Sequence, residues 1–166
     1  MRRPSSLRTL FSFPNPVNEV SSRLVAGGVV AMSVVAIALD VRWLTIVLAY
    51  GFVARVLAGP KLSPLALFVT RVVTPRLPVE PRPVAGPPKR FAQGIGAAFT
   101  VTAVALTYGF GQWTAAQVAL GALTAAASLE AFAGICLGCK VFALLMRAGV
   151  IPEEVCERCN NIWAPA

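Results

Sequence analysis

Apolar positions in this chain come in long unbroken blocks, not in the alternation of a half-buried strand or the stripe of a surface helix. Leu24 to Leu39 carries no charge, between Arg23 and Asp40. With Val20–Ser22 and the apolar stem of a snorkelling Arg23, that block reaches the roughly 20 residues a bilayer crossing needs. Trp43 to Ala58 is the second block, interrupted only by Arg55 near its end. The third runs from residue 91 to 129, 39 positions without a charge until Glu130. At nearly twice the length of one span it has to fold back. Tyr108-Gly-Phe-Gly-Gln-Trp113 supplies glycines for a turn and aromatics suited to an interface. The pattern predicts four spanning helices, at 20–39, 43–58, 91–108 and 114–135.

Between the second and third spans, Leu62 to Val73 is apolar but too short to cross, and reads as a helix lying at the interface. Pro75 to Arg90 holds six prolines in 16 residues. So many missing backbone donors suit an extended aqueous loop, and the run reads as a linker, not a docking motif. The start, MRRPSSLR, is basic, and the prolines of Phe13-Pro14-Asn15-Pro16 interrupt any apolar core of a signal peptide. The predicted architecture is all-α: a four-span transmembrane helical bundle with an interfacial helix and a cysteine-bearing C-terminal tail. It divides into a cytoplasmic N-tail (1–19), a membrane domain (20–147) with its proline-rich loop at 75–90, and a cytoplasmic cysteine tail (148–166).

Composition agrees. Of 166 residues 57% are hydrophobic and 13% charged, about half the ~25% charge of soluble domains. Net charge is +8, but the basic residues sit at the edges of apolar blocks without stacking aromatics. They suit anionic lipid headgroups and topology, not nucleic acid. Thirteen Lys and Arg fall in the tails and the middle connection, against one, Arg42, in the two short turns. The positive-inside rule then places both termini and the middle loop in the cytoplasm of a multi-pass cell-membrane protein. The chain has no histidine, which excludes Ser-His-Asp and Cys-His catalysis and imidazole proton relays. The small-residue pairs Gly121/Ala125 and Ala122/Ala126 read as helix-packing positions, with a homo-oligomer face as the alternative.

All four cysteines lie in the last 31 residues, as Cys136-Leu-Gly-Cys139 and Cys156-Glu-Arg-Cys159, separated by 16 residues. The intervening segment reads as an amphipathic helix ending at Gly149. Three readings stay open. Four thiolates at this spacing can bind Zn2+, the reading that spacing alone favours. Alternatively the pairs are redox-active or carry sulfur: Cys136 and Cys139 are the reactive pair, Lys140 stabilises the thiolate, and Cys156 and Cys159 resolve or accept. In the third, the cysteines are inert. Arg55 and Glu130 form an intramembrane polar pair, either a structural salt bridge or the lining of a cavity that takes a small anion.

At Phe13-Pro-Asn-Pro-Val-Asn-Glu19 and Cys136-Leu-Gly-Cys139-Lys140 the chain resembles the bacterial membrane family called domain of unknown function 4395, from about Phe13 to Arg147. The tail pair Cys156/Cys159 looks like an addition found in actinobacterial members. The resemblance implies a small multi-span membrane protein associated with thioredoxin-like or sulfurtransferase proteins, and nominates Asn15, Asn18, Glu19, Cys136, Cys139 and Lys140. It supplies no reaction and no cofactor. On local grounds Asn18 also reads as a helix N-cap, with Glu19 at the positive helix end. The combined reading is a paired-CxxC centre for thiol–disulfide or sulfur-transfer chemistry. The alternatives are a scaffold with a four-cysteine zinc site and a small-anion transport component.

Overall fold

The computed structural model describes residues 13–155 of the chain. A two-residue strand, β1 (Val17–Asn18), leads into α1 (Glu19–Ala38), and α2 (Leu44–Ala58) follows a short turn. After a bend at Gly59-Pro60, α3 (Pro64–Phe68) continues helically through Val69–Val73. Strand β2 (Pro83–Val84) precedes α4 (Gly86–Val104), which is prolonged to Gly109, and α5 (Trp113–Ala133) and α6 (Leu137–Arg147) complete the order. Four helical stretches, beginning at Glu19, Leu44, Gly86 and Trp113, are long and apolar enough to cross a membrane. The all-α four-span bundle is therefore the fold, and its helices start within about five residues of the four predicted spans.

The termini of these helices are set by local chemistry. Asn18 caps α1, its Oδ1 accepting the Val20 N–H at 3.0 Å, with Glu19 in the first turn. The same Oδ1 accepts the Arg82 N–H, and Asn15 Oδ1 accepts the Gly86 N–H at 3.2 Å. β1 and β2 pair antiparallel, Val17 opposite Val84. The Pro-Asn-Pro-Val-Asn segment thus fastens the long connection to the root of the first span.

Helix α4 begins at Gly86, so the extended loop stops at residue 85 and does not reach Arg90. Pro87 and Pro88 stand in the first helical turn, where a missing N–H breaks no bond and the fixed φ suits the helix. This correction moves Lys89 from the loop into the bundle.

The main core, including Val29, Ala36, Leu48, Ala103, Ala116 and Leu120, fills the half of the bundle away from α6. At that far end Trp113 donates to Asp40 at 2.6 Å, and the Arg42 guanidinium lies over the Trp113 ring. At the near end cations tie helices together: Arg23 donates to the Ala131 and Phe132 carbonyls that end α5, and Arg90 to Val56 O at the end of α2. The α3 segment and its continuation pack Ala66 and Val69 against Val25 of α1. Among the small-residue pairs, Ala125 is exposed and Gly121 has open space around it. Ala116, Leu120, Leu123 and Ala127 provide the buried face of α5 instead.

Candidate functional site

The cysteine helix begins where the last span ends. Gly134, at φ +69°, takes the left-handed conformation that turns the chain out of α5, and Ile135 N–H returns to Leu129 O at 3.0 Å. Cys136, extended, is the N-cap of α6, and its carbonyl accepts the Lys140 N–H at 3.1 Å. Cys139 follows one turn later, with its thiol donating to Cys136 Sγ at 2.8 Å. The small residue between them has a packing reason: a Cβ at Gly138 would lie 2.5 Å from the Cβ of Ala92. Glycine there lets α6 seat on α4, while Phe142 and Met146 anchor the far turn, Phe142 against the Phe91 ring.

This arrangement makes the two thiols unlike each other. The hydrogen bond from Cys139 holds the Cys136 thiol below its ordinary value, aided by the charge of Lys89 and opposed by burial and Glu130. Cys139 is pushed the other way because it donates that hydrogen bond and is itself buried. The helix N-terminus adds a positive partial charge at Cys136. The two thiols are therefore biased in opposite directions, Cys136 toward the thiolate and Cys139 toward the protonated form.

Beneath the dyad the intramembrane charges pair differently from the expected Arg55–Glu130 bridge. Glu130 takes Lys89, Nζ to Oε1 at 2.7 Å, with the two side chains 9% and 15% exposed. Lys89 occupies the first turn of α4, a position that a loop reading of 75–90 hides, and its ammonium reaches Glu130 before the guanidinium does. Arg55, 5% exposed, is held by neutral groups: Nε donates to Gln93 Oε1 at 2.8 Å and Nη1 to Ser63 Oγ at 3.3 Å. Its guanidinium also lies 4.3 Å from the centre of the Phe52 ring. The Proline-Proline-Lys start of α4 is the sequence signal that could have found Lys89; Gln93 and Ser63 carry none.

Two spaces meet at Cys136. An inner cavity of about 300 Å³ between α1, α2, α4, α5 and α6 is lined by Arg55, Gln93, Glu130 and Cys136, with otherwise mostly apolar walls. An outer groove of about 590 Å³ carries Glu19, Lys89, Cys136, Cys139, Lys140 and Arg147. Lys140 is exposed and lines this groove, but the cation that bears on both thiols is Lys89. Cys156 and Cys159 lie outside the described residues. Among the described residues no three metal-binding side chains cluster.

Of the motif residues, Asn15 and Asn18 hold the connection to the first span, while Glu19, Cys136, Cys139 and Lys140 share the outer groove. No curated protein and no solved structure matches the chain. A family model does match, over residues 17–147, and the chain belongs to the family described as Domain of unknown function (DUF4395).

Proposed function

We propose that this membrane protein is a thiol–disulfide exchange centre whose reactive pair is Cys136 and Cys139. The observation that carries this reading is the 2.8 Å thiol pair at the N-terminus of α6, with Cys136 favoured as thiolate and Cys139 as thiol. In one direction, the Cys136 thiolate attacks a partner's disulfide; a mixed disulfide forms and the partner's other sulfur leaves as thiolate. Cys139 then gives up its proton and attacks Cys136 Sγ. The Cys136–Cys139 disulfide closes, the second partner thiolate departs, and two electrons have passed to the partner. The reverse sequence oxidises the partner.

The outer groove, with Lys89, Lys140 and Arg147 around both sulfurs, suits docking of a thioredoxin-like protein. A sulfurtransferase would use the same nucleophile as its sulfur acceptor. Cys156 and Cys159 supply a second dithiol for exchange with the first. The distribution of Lys and Arg, 13 against 1, supports a cytoplasmic orientation for this face and both termini in the cell membrane.

The test is redox titration of the purified protein in lipid nanodiscs, with disulfides mapped by mass spectrometry and zinc measured in parallel. The expected result is a reversible Cys136–Cys139 disulfide with a potential in the ~−270 to −180 mV range of dithiol oxidoreductases. Stoichiometric zinc masking four thiols, or oxidation that never joins Cys136 to Cys139, overturns the proposal.

A further inference from the structure

Resting on the redox reading above, we infer that the inner cavity binds the ring of a lipid-borne quinone, the electron acceptor of the Cys136–Cys139 dithiol. Three features of the cavity point to this class of ligand. First, its walls are apolar and its width comes from small residues: Ala122 and Ala126 line it. Secondly, it opens sideways. Phe99 of α4 lines the cavity and is 38% exposed, and Ala122 on α5 is exposed too. These residues stand on the flanks of two spans, so the opening meets lipid tails, while the start of α6 roofs the end of the bundle. A ligand entering here arrives dissolved in the bilayer.

Thirdly, the inner end offers a hydrogen-bond donor. Arg55 is buried, its hydrogen bonds go to neutral groups, and Glu130, whose charge also bears on it, is hydrogen-bonded to Lys89 instead. A buried guanidinium in that state favours an oxygen that gains negative charge, which a quinone carbonyl does on reduction. Strongly hydrated inorganic anions would find few polar groups on the remaining walls. About 300 Å³ is at the small end of ligand cavities: it admits a substituted ring and leaves an isoprenoid tail among the lipids.

The chemistry closes without another reagent. The Cys136 thiolate adds reversibly to a ring carbon beside a carbonyl, and the ring's electron pair moves to oxygen. Cys139, losing its proton, attacks Cys136 Sγ; the S–C bond breaks and its electrons stay with the ring. Dithiol and quinone become disulfide and hydroquinone, the two thiol protons ending on the two ring oxygens, with Glu130 on the cavity wall to pass them. A soluble dithiol reaching the sulfurs through the outer groove then restores the pair.

The experiment uses reduced full-length protein in nanodiscs, without oxygen, and two oxidants. One is decylubiquinone, whose fully substituted ring forms no stable thiol adduct; the other is the aqueous disulfide hydroxyethyl disulfide. Quinone absorbance and mapped disulfides are followed for wild type and for Ala126→Phe, with Ala122→Phe as the second plug should the first not fold. The expected result is Cys136–Cys139 oxidation by both reagents in wild type. In the plugged variant the quinone rate relative to the aqueous rate falls about tenfold or more. Oxidation by the aqueous disulfide but not by decylubiquinone, or an unchanged ratio in both plugged variants, overturns the quinone site while the exchange centre stands. Failure of both oxidants overturns the exchange centre itself.

Discussion

Replacing Lys89 by Met isolates the energetics beneath the dithiol. Lys89 and Glu130 meet at 2.7 Å with side chains only 9% and 15% exposed. The substitution keeps the length of the side chain and removes its charge, leaving a carboxylate in a space whose other cation, Arg55, is bound to Gln93 and Ser63. Removing one partner of a buried pair costs about 3–5 kcal/mol. Arg55 lines the same cavity as Glu130 and offsets part of that, so the expectation is the lower edge, about 3 kcal/mol. Glu130→Gln strands Lys89 and costs about as much. The double variant is neutral at both positions and is more stable than either single by about 2 kcal/mol, because it buries no unpaired charge. For a chain of this size 3 kcal/mol corresponds to a Tm loss of roughly 6–12 °C. The assay is thermal unfolding in one detergent at fixed pH for wild type, both singles and the double. If all three variants stay within about 0.5 kcal/mol of wild type, or the double loses the sum of the singles, the ion pair is not the bond described here.

The other expectations follow from neighbouring contacts. The rate of Cys136 alkylation rises through a pKa below the ordinary thiol range, and Cys139→Ala or Lys89→Met moves the midpoint upward, since each removes an interaction that favours the thiolate; a pH–rate series reads it, and coincident wild-type and variant profiles refute it. Asn18→Ala removes the cap of α1 and an acceptor for Arg82 N–H, costing about 1 kcal/mol, while Asn18→Asp retains most of it; thermal unfolding decides. Gly96→Ala places a Cβ inside the Phe52 ring and costs about 1–3 kcal/mol by overpacking. Phe52→Leu in the same chain recovers stability; a double variant no better than Gly96→Ala contradicts this packing.

Charge-free length was enough to read the bundle. A block such as Leu24–Leu39, bounded by Arg23 and Asp40, has few folded alternatives to crossing a bilayer, because backbone polar groups in lipid are satisfied only within a helix or a closed barrel. The C-x2-C spacing likewise put two sulfurs on one turn before any geometry was known. What the sequence concealed were partners. Arg55 and Glu130 stood out as the buried charges, yet depth along a helix does not reveal which cation reaches a carboxylate first. Lys89 was hidden by the prolines around it, which suggest a loop although two of them begin a helix. Small residues misled in a related way. Ala122 and Ala126 sit at the spacing that brings helices together, and the fold uses them to leave a cavity.

The position of the dyad follows from how α6 joins the bundle. Gly134 turns the chain, Cys136 caps a new helix, and Gly138 lets that helix lie on Ala92 while Phe142 and Met146 bury against Phe91 and Ala85. Move Cys136 four residues earlier and it lies on the last turn of α5, where free carbonyls disfavour a thiolate. Four residues later it lies within α6, without unsatisfied N–H groups to favour one. At the junction the Cys136 sulfur gains the helix N-terminus and Lys89, and it borders both an inner and an outer space. The Asn15 and Asn18 half of the motif serves the same end: by holding β2 and the start of α4 at the root of α1, it sets the depth at which Lys89 meets Glu130. The two motifs, more than a hundred residues apart in sequence, are joined physically by the first turn of α4.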